Sequence, residues 1–245
     1  MSSTPRVFIT GTPFCGDTVR ISGSDAHHIL NVLRLRRGEK ILVCDMKRTE
    51  FDGTITEISD GELSVILSGS RQSSSEFPFS VNLYQGVPKG DKLDTIVQKA
   101  VELGVTSVIP VICERSVSKP DEKAFAKKIE RLNRIAASAS SQCGRGILPK
   151  VLPPLSFSNA CKEMKCSEIS FICYEGDGTV PIKTFLCEKK PGSISFLIGP
   201  EGGLSAGEVN TAIAHDIPIV GLGNRILRTE TAGSFVLSAI SVLIE

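Results

Sequence analysis

Three short segments of this 245-residue chain place glycines beside charged or hydroxyl residues directly after apolar runs. In Phe196–Glu208 (FLIGPEGGLSAGE) an apolar run ends in Gly199, Pro200, Glu201, Gly202 and Gly203, and Ser205 and Glu208 follow at capping-box spacing. Glycines at a strand's carboxyl end let backbone approach a ligand closely, and open α/β sheets bind ligands at that end. In Val220–Ala232 (VGLGNRILRTETA) the run gives way to a loop holding Arg225, Arg228, Thr229, Glu230 and Thr231 around Ile226 and Leu227. That mixture suits a pocket wall with an apolar side for a flat ring and a charged side for phosphate. The third segment is Tyr174–Gly178 (YEGDG). A plain connecting turn or a helix cap by Thr229 or Thr231 accounts for parts of the same pattern.

The elements that must position these loops read as follows. Strand candidates Ser80–Gln85, Ser107–Cys113, Glu168–Tyr174, Ser193–Ile198 and Ile217–Leu222 are short apolar runs, as expected for strands buried on both faces. Between them lie helices, the clearest being Asp91–Leu103 with its stop at Gly104, and Asp121–Cys143. This alternation predicts a mostly parallel sheet covered by helices. A last helix, about Thr231–Ile244, is apolar nearly all round and must be covered on both sides, by its own domain or by a second subunit.

The region from Arg6 to Gly69 is β-rich instead. Strands are expected at Arg6–Thr10, Thr18–Ile21, Lys40–Cys44, Phe51–Ile58 and Leu63–Leu67, with turns at Asp52-Gly53 and Asp60-Gly61 and one helix from Ser24 to Gly38. The division is therefore a small β-barrel over residues 1–70, a serine-rich linker over 71–78 and an α/β domain over 79–245.

Composition bounds the function. A net charge of +1 excludes a uniformly basic coating protein but allows local basic patches. One such patch is Arg34, Arg36, Arg37 and Lys40, following His27 and His28; phosphate contacts from it would fix position without reading sequence, although cations also suit a helix C-terminus. Arg115, Lys119, Arg131, Arg134 and Arg145 add basic character further on. The eight cysteines include no C-x-x-C pair and favour reduced thiols over zinc ligands, so no metal is expected. The chain lacks a signal-peptide pattern and any membrane-spanning apolar run, and a cytoplasmic protein without a membrane partner is expected. Neither G-x-G-x-x-G after a first strand, nor a P-loop, nor a G-x-S-x-G elbow occurs.

Taken together, Val87–Gly104 (VPKGDKLDTIVQKAVELG), Ile198–Gly203 and Leu222–Ala232 resemble the signatures of the bacterial 16S ribosomal RNA uridine-N3 methyltransferase family, and His27–Glu39 resembles its N-terminal domain. The likeness covers nearly the whole chain. Asn224 stands where many members carry proline, and Gly233 and Ser234 replace a more alanine-rich continuation. The resemblance implies the SPOUT class of fold, with a deep trefoil knot in the C-terminal domain, a PUA-like barrel before it, and a homodimer packed through the last helix. It implies S-adenosylmethionine as methyl donor, S-adenosylhomocysteine as product and 16S rRNA of the small ribosomal subunit as partner. Cofactor contacts are then expected from Tyr174, Glu175, Leu197, Ile198, Gly199, Pro200, Gly202, Gly203, Leu222, Gly223, Ile226, Leu227, Thr229, Thr231 and Ala232. RNA contacts are expected from Arg34, Arg36, Arg37, Lys40, Lys89, Arg115, Arg145 and Arg225. Arg228 is expected to stabilise the uridine anion or its phosphate, with Glu201 or Glu230 ordering the loops. A SPOUT ribose 2′-O-methyltransferase and a catalytically silent ribosome-assembly protein are the rival readings.

Overall fold

The computed structural model describes residues 4–116 and 122–244, which fall into two compact units. One comprises residues up to Glu76 together with Ser140–Leu148; the other comprises Phe77–Ala139 and the chain from Pro149 onward. Lys119 and Asp121 lie outside the described residues.

The first unit is a five-stranded PUA-like sheet. Its strands are β1 (Arg6–Phe8), β2 (Thr18–Ile21), β3 (Lys40–Cys44), β4 (Thr49–Ser59) and β5 (Glu62–Gln72), in the order β1-β3-β4-β5-β2. All five contribute to one apolar core, in which Val7, Ile21, Val43, Ile55 and Val65 are buried. The turn at Asp60-Gly61 is where the sequence places it, because both residues take the positive φ that a two-residue hairpin loop requires (+52° and +77°). Asp52-Gly53, by contrast, is no turn. Gly53 lies inside β4, where a Cβ would stand 2.7 Å from Val65 Cγ1, so the glycine serves close strand packing.

The helix of this unit also stops earlier than expected. Helix α1 (Gly23–His27) runs into a π-helical turn, His28–Val32, and Arg34 then adopts a left-handed φ of +58°. The amide of Leu33 donates to the His28 carbonyl at 2.9 Å and that of Leu35 to the Ile29 carbonyl at 3.0 Å, closing the end. Gly38 belongs to the following turn, donating to the Ile55 carbonyl in β4 at 2.8 Å.

The second unit is an α/β layer structure. Its elements are β6 (Ser80–Gly86), α2 (Lys92–Glu102), β7 (Ser107–Ile112), α3 (Glu122–Cys143, whose last turn is counted with the first unit), β8 (Lys150–Val151), β9 (Leu155–Ser156) and α4 (Phe157–Met164). They continue with β10 (Ile169–Cys173), β11 (Val180–Pro181), α5 (Ile182–Leu186), β12 (Ser193–Ile198), α6 (Ala206–Ala214), β13 (Ile219–Gly221) and α7 (Thr229–Ile244). Helices α4 and α5 have no counterpart in the sequence reading. Every strand pair is parallel, in the order β11-β13-β10-β12-β6-β7-β8, with β9 also on β7.

Alternation along β10 shows how both faces are filled. Ile172 joins a core with Phe157, Met164 and Ala212 beneath α4 and α6, while Phe171 stacks on Phe196 and meets Phe185 of α5. Strand β13 returns to the far side of β10 from β12, so the carboxyl ends of β10, β12 and β13 are neighbours on one edge. Helix α7 packs on α2, α5 and β12, burying Val236, Leu237 and Ile240. Its opposite stripe stays open, with Phe235 39% and Val242 83% exposed.

Candidate active site

The turn after β12 is shaped by three close approaches. A Cβ on Gly86, at the end of β6, would lie 2.5 Å from the Pro200 nitrogen, so β6 and this turn can touch only through glycine. The amide of Gly203 donates to the Pro200 carbonyl at 2.9 Å, with Gly203 at φ +68° and its open side facing the Glu175 carboxylate. Behind the turn, Ser205 and Glu208 form the expected capping box at the start of α6. The Glu208 carboxylate also accepts from the Glu114 amide at 2.8 Å, and the neighbouring Arg115 guanidinium donates to the Gly202 carbonyl at 3.0 Å.

The other two loops interlock with the first by the same device. A Cβ at Gly221, closing β13, would lie 2.5 Å from Thr179 Oγ1 of the loop after β10. The Thr229 hydroxyl, at the start of α7, donates to the Gly199 carbonyl at 2.7 Å and accepts from the wholly buried Gln85 amide at 2.8 Å. Together the loops enclose a cavity of about 550 Å³.

The cavity wall divides by chemistry. Ile198, Leu222, Ile226 and Leu227 give it an apolar part, and Ile226 is 85% exposed. Glu175 and Glu201 supply carboxylates. Arg225 and Arg228 also line it, and among the described residues neither has an ion-pair partner. Glu201 accepts from the Lys89 amide at 3.1 Å and faces the Lys92 ammonium at 3.1 Å. Partial burial works against its charge, but these donors prevail and hold its carboxyl below the ordinary value of 4.5. Burial pushes the Cys173 thiol far up, so this wall residue stays protonated and is no competing nucleophile.

Twelve of the expected cofactor contacts line this cavity: Tyr174, Glu175, Ile198, Gly199, Pro200, Gly203, Leu222, Gly223, Ile226, Leu227, Thr229 and Ala232. Leu197 instead belongs to the core, Gly202 is turned to Arg115, and Thr231 is exposed on the first turn of α7. Arg228 and Glu201 are on the wall, while Glu230 stands behind it, 3.6 Å from Lys92. Lys92, Cys173 and Thr179 are wall residues outside the three segments singled out from the sequence, while Gly176, Leu204, Gly221 and Asn224 lie within those segments without having been expected as contacts.

Of the expected RNA contacts, Arg34, Arg36, Arg37 and Lys40 are exposed on the first unit, and Lys89 and Arg225 are exposed on the second. Arg145 requires a correction. Its side chain is buried, 2% exposed for the residue, and is bound through Nε and Nη2 to Glu76 at 2.7 to 3.0 Å, so it braces the first unit and offers no charge to solvent.

A parallel α/β sheet whose carboxyl edge carries three interlocked loops around one cavity, preceded in the chain by a PUA-like β-domain, matches the architecture of the SPOUT class of RNA methyltransferases. A family profile for the RNA methyltransferase domain matches residues 75–241, and one for the RNA methyltransferase PUA domain matches residues 21–68. The chain belongs to this RNA methyltransferase family and is an S-adenosylmethionine-dependent enzyme. It is similar to ribosomal RNA small subunit methyltransferase E of Bacillus subtilis, with 37% identity over 91% of this chain and 90% of that protein. Among solved structures it is similar to the Neisseria gonorrhoeae ribosomal RNA small subunit methyltransferase E bound to S-adenosylmethionine (32% identity, TM-score 0.87, 98% of each chain). A Legionella pneumophila methyltransferase with bound S-adenosylmethionine is also similar (28% identity, TM-score 0.86, 98% of each chain).

Proposed function

We propose that the chain transfers a methyl group from S-adenosylmethionine to N3 of one uridine in 16S rRNA of the small ribosomal subunit. The observation that carries this reading is the cavity itself, where an apolar wall, two carboxylates and the guanidiniums of Arg225 and Arg228 meet. The residues fit the methyl donor: the apolar wall suits its adenine, and the Glu175 carboxylate suits its positive charge. When bound, that cofactor supplies an activated methyl group, and the protein is left to position the base and handle a proton.

Uridine N3 carries a proton. With an imide pKa roughly two units above neutrality, forming the anion costs about 2.7 kcal/mol, an amount that one facing cation with a few hydrogen bonds can offset. Arg228 is the residue we assign to the anion or the adjoining phosphate, and Glu201 and Glu230 order the loops around it. No histidine base is needed.

In this reading the first unit docks the RNA through Arg34, Arg36, Arg37 and Lys40, and the second unit carries the reaction. The open stripe of α7, with Thr231, Phe235, Ser238 and Val242 at helical spacing, is where a second copy packs to give a homodimer. The protein works in the cytoplasm; no helix among the described residues is long and apolar enough to cross a membrane. Incubating small subunits from a strain lacking the protein with labelled S-adenosylmethionine tests the proposal. Label should enter 16S rRNA only when the protein is added; no incorporation would favour a silent assembly protein.

A further inference from the structure

Lys92 occupies a costly position. It is the first residue of α2, where the helix dipole disfavours a cation, and the sequence would be locally better served by an acidic or neutral residue there. It nevertheless lines the cavity, with its side chain 35% exposed. Its ammonium touches the Glu201 carboxylate of the β12 turn at 3.1 Å and stands 3.6 Å from Glu230 of α7. Among the described residues, Oε2 of Glu230 is buried without a hydrogen bond, so the pair with Lys92 is loose on that side. An ammonium has three donors in rotatable positions, and Glu201 engages one closely. At least one remains for a group inside the cavity.

We propose that Lys92 is a further catalytic residue of the methyl transfer, donating to a carbonyl oxygen of the target uridine as its N3–H bond breaks. The electron pair stays on the imide, the charge spreads to the two flanking carbonyl oxygens, and the proton leaves to water; that pair would then form the N3–methyl bond as the methyl–sulfur bond breaks, its electrons remaining on sulfur to leave S-adenosylhomocysteine. This assignment rests on the uridine-N3 reading above.

Three features fit that task. The side chain cannot be the base, because Glu201 and Glu230 outweigh its desolvation and raise it above the ordinary lysine value, so it stays an ammonium. The carboxylates aim the charge without neutralising a phosphate-binding cation, since among the described residues Arg225 and Arg228 have no ion-pair partner. The site holds the aim from behind: Arg131 of α3 takes Asp91 at 3.2 Å and Asp94 at 2.7 Å, leaving the acidic groups of α2 occupied and Lys92 free of them.

The test compares wild type with Lys92→Met and Lys92→Arg in single-turnover methylation of small subunits across pH, with S-adenosylmethionine affinity measured by calorimetry. The charged groups facing Lys92 or sharing its cavity, Glu175, Glu201, Glu230, Arg225 and Arg228, are unchanged in every arm. Lys92→Met should bind the cofactor within about 3-fold of wild type, lose on the order of 100-fold in rate at neutral pH, and reach its plateau at higher pH because the imide then ionises nearer its free value. Lys92→Arg, which keeps the charge, should recover part of the rate and of the profile. An unshifted profile in Lys92→Met would overturn the assignment. So would a fall in cofactor affinity with full turnover at saturation, which would make Lys92 a reader of the cofactor. Failure of the wild type to produce N3-methyluridine would refute the uridine-N3 reading separately.

Discussion

The hydroxyl of Thr229 donates to the carbonyl of Gly199 at 2.7 Å and so fastens the start of α7 to the turn that ends β12. Gln85 of β6 holds the same hydroxyl from behind at 2.8 Å, joining three elements at one buried point. Thr229→Val keeps the shape and removes the hydroxyl, leaving the Gly199 carbonyl without this donor. One such bond is worth about 1 kcal/mol, so S-adenosylmethionine should bind roughly 5- to 10-fold more weakly by calorimetry, with Thr229→Ser close to wild type.

Gly203 joins two loops by having no side chain. At φ +68°, with the Glu175 carboxylate over its open face, it cannot become alanine without backbone strain of about 1–3 kcal/mol and a displaced Glu175. Gly178, at φ +76°, has open space around it. Gly203→Ala should therefore lose cofactor affinity well beyond Gly178→Ala, and similar affinities in the two variants would remove Gly203 from the cradle.

Arg228→Ala should lower turnover by on the order of 100-fold while cofactor affinity stays within about 3-fold, since the assignment places this guanidinium on the RNA side. Steady-state methylation and calorimetry on the same preparation separate the two effects. Unchanged turnover would end the assignment.

Arg145 and Glu76 form a pair buried on both sides, with each side chain 3% exposed. Arg145→Met alone should cost about 3–5 kcal/mol in denaturant unfolding of the protein, because it strands a buried carboxylate, and the double change Arg145→Met with Glu76→Leu should restore much of that. Alanine at Arg36 or Arg37, both exposed, should leave stability within about 0.5 kcal/mol. Each should instead reduce the slope of RNA affinity against salt by about one.

Glu50 gives a pH signature in the first unit. Burial would raise its carboxyl, but the Arg6 guanidinium at 2.6 Å, with Ser73 and Arg71, prevails and lowers it below the ordinary 4.5. A depressed carboxylate stabilises the fold above its unfolded pKa, and that contribution is lost as pH falls through the lower folded value. Glu50→Gln should thus be less stable at neutral pH and show a shallower decline between about pH 5 and pH 3, read by unfolding midpoints.

These cases also show what a sequence can carry. The β12 run, the Ser205–Glu208 capping box and the Asp60-Gly61 turn are legible because their determinants lie within a few residues. Asp52-Gly53 misled because the same dipeptide serves a turn or a tight strand contact, and the partner that decides, Val65, comes from β5. Arg145 looked like a substrate cation because Glu76 lies 69 residues away. Lys92 went unremarked for the same reason: its partners are in a turn and a helix far along the chain, although a lysine opening a helix was a local sign. The loop residues of the cavity were legible mainly through their motifs, while Thr179 and Gly221 meet only in the folded sheet.

The identity of the methylated nucleoside decides the reaction most directly. Small subunits from a strain lacking the protein, methylated in vitro and digested for mass spectrometry, should yield N3-methyluridine from a single position of 16S rRNA. A ribose 2′-O-methyl nucleoside, or methyl groups on any other base, would contradict methyl transfer to uridine N3.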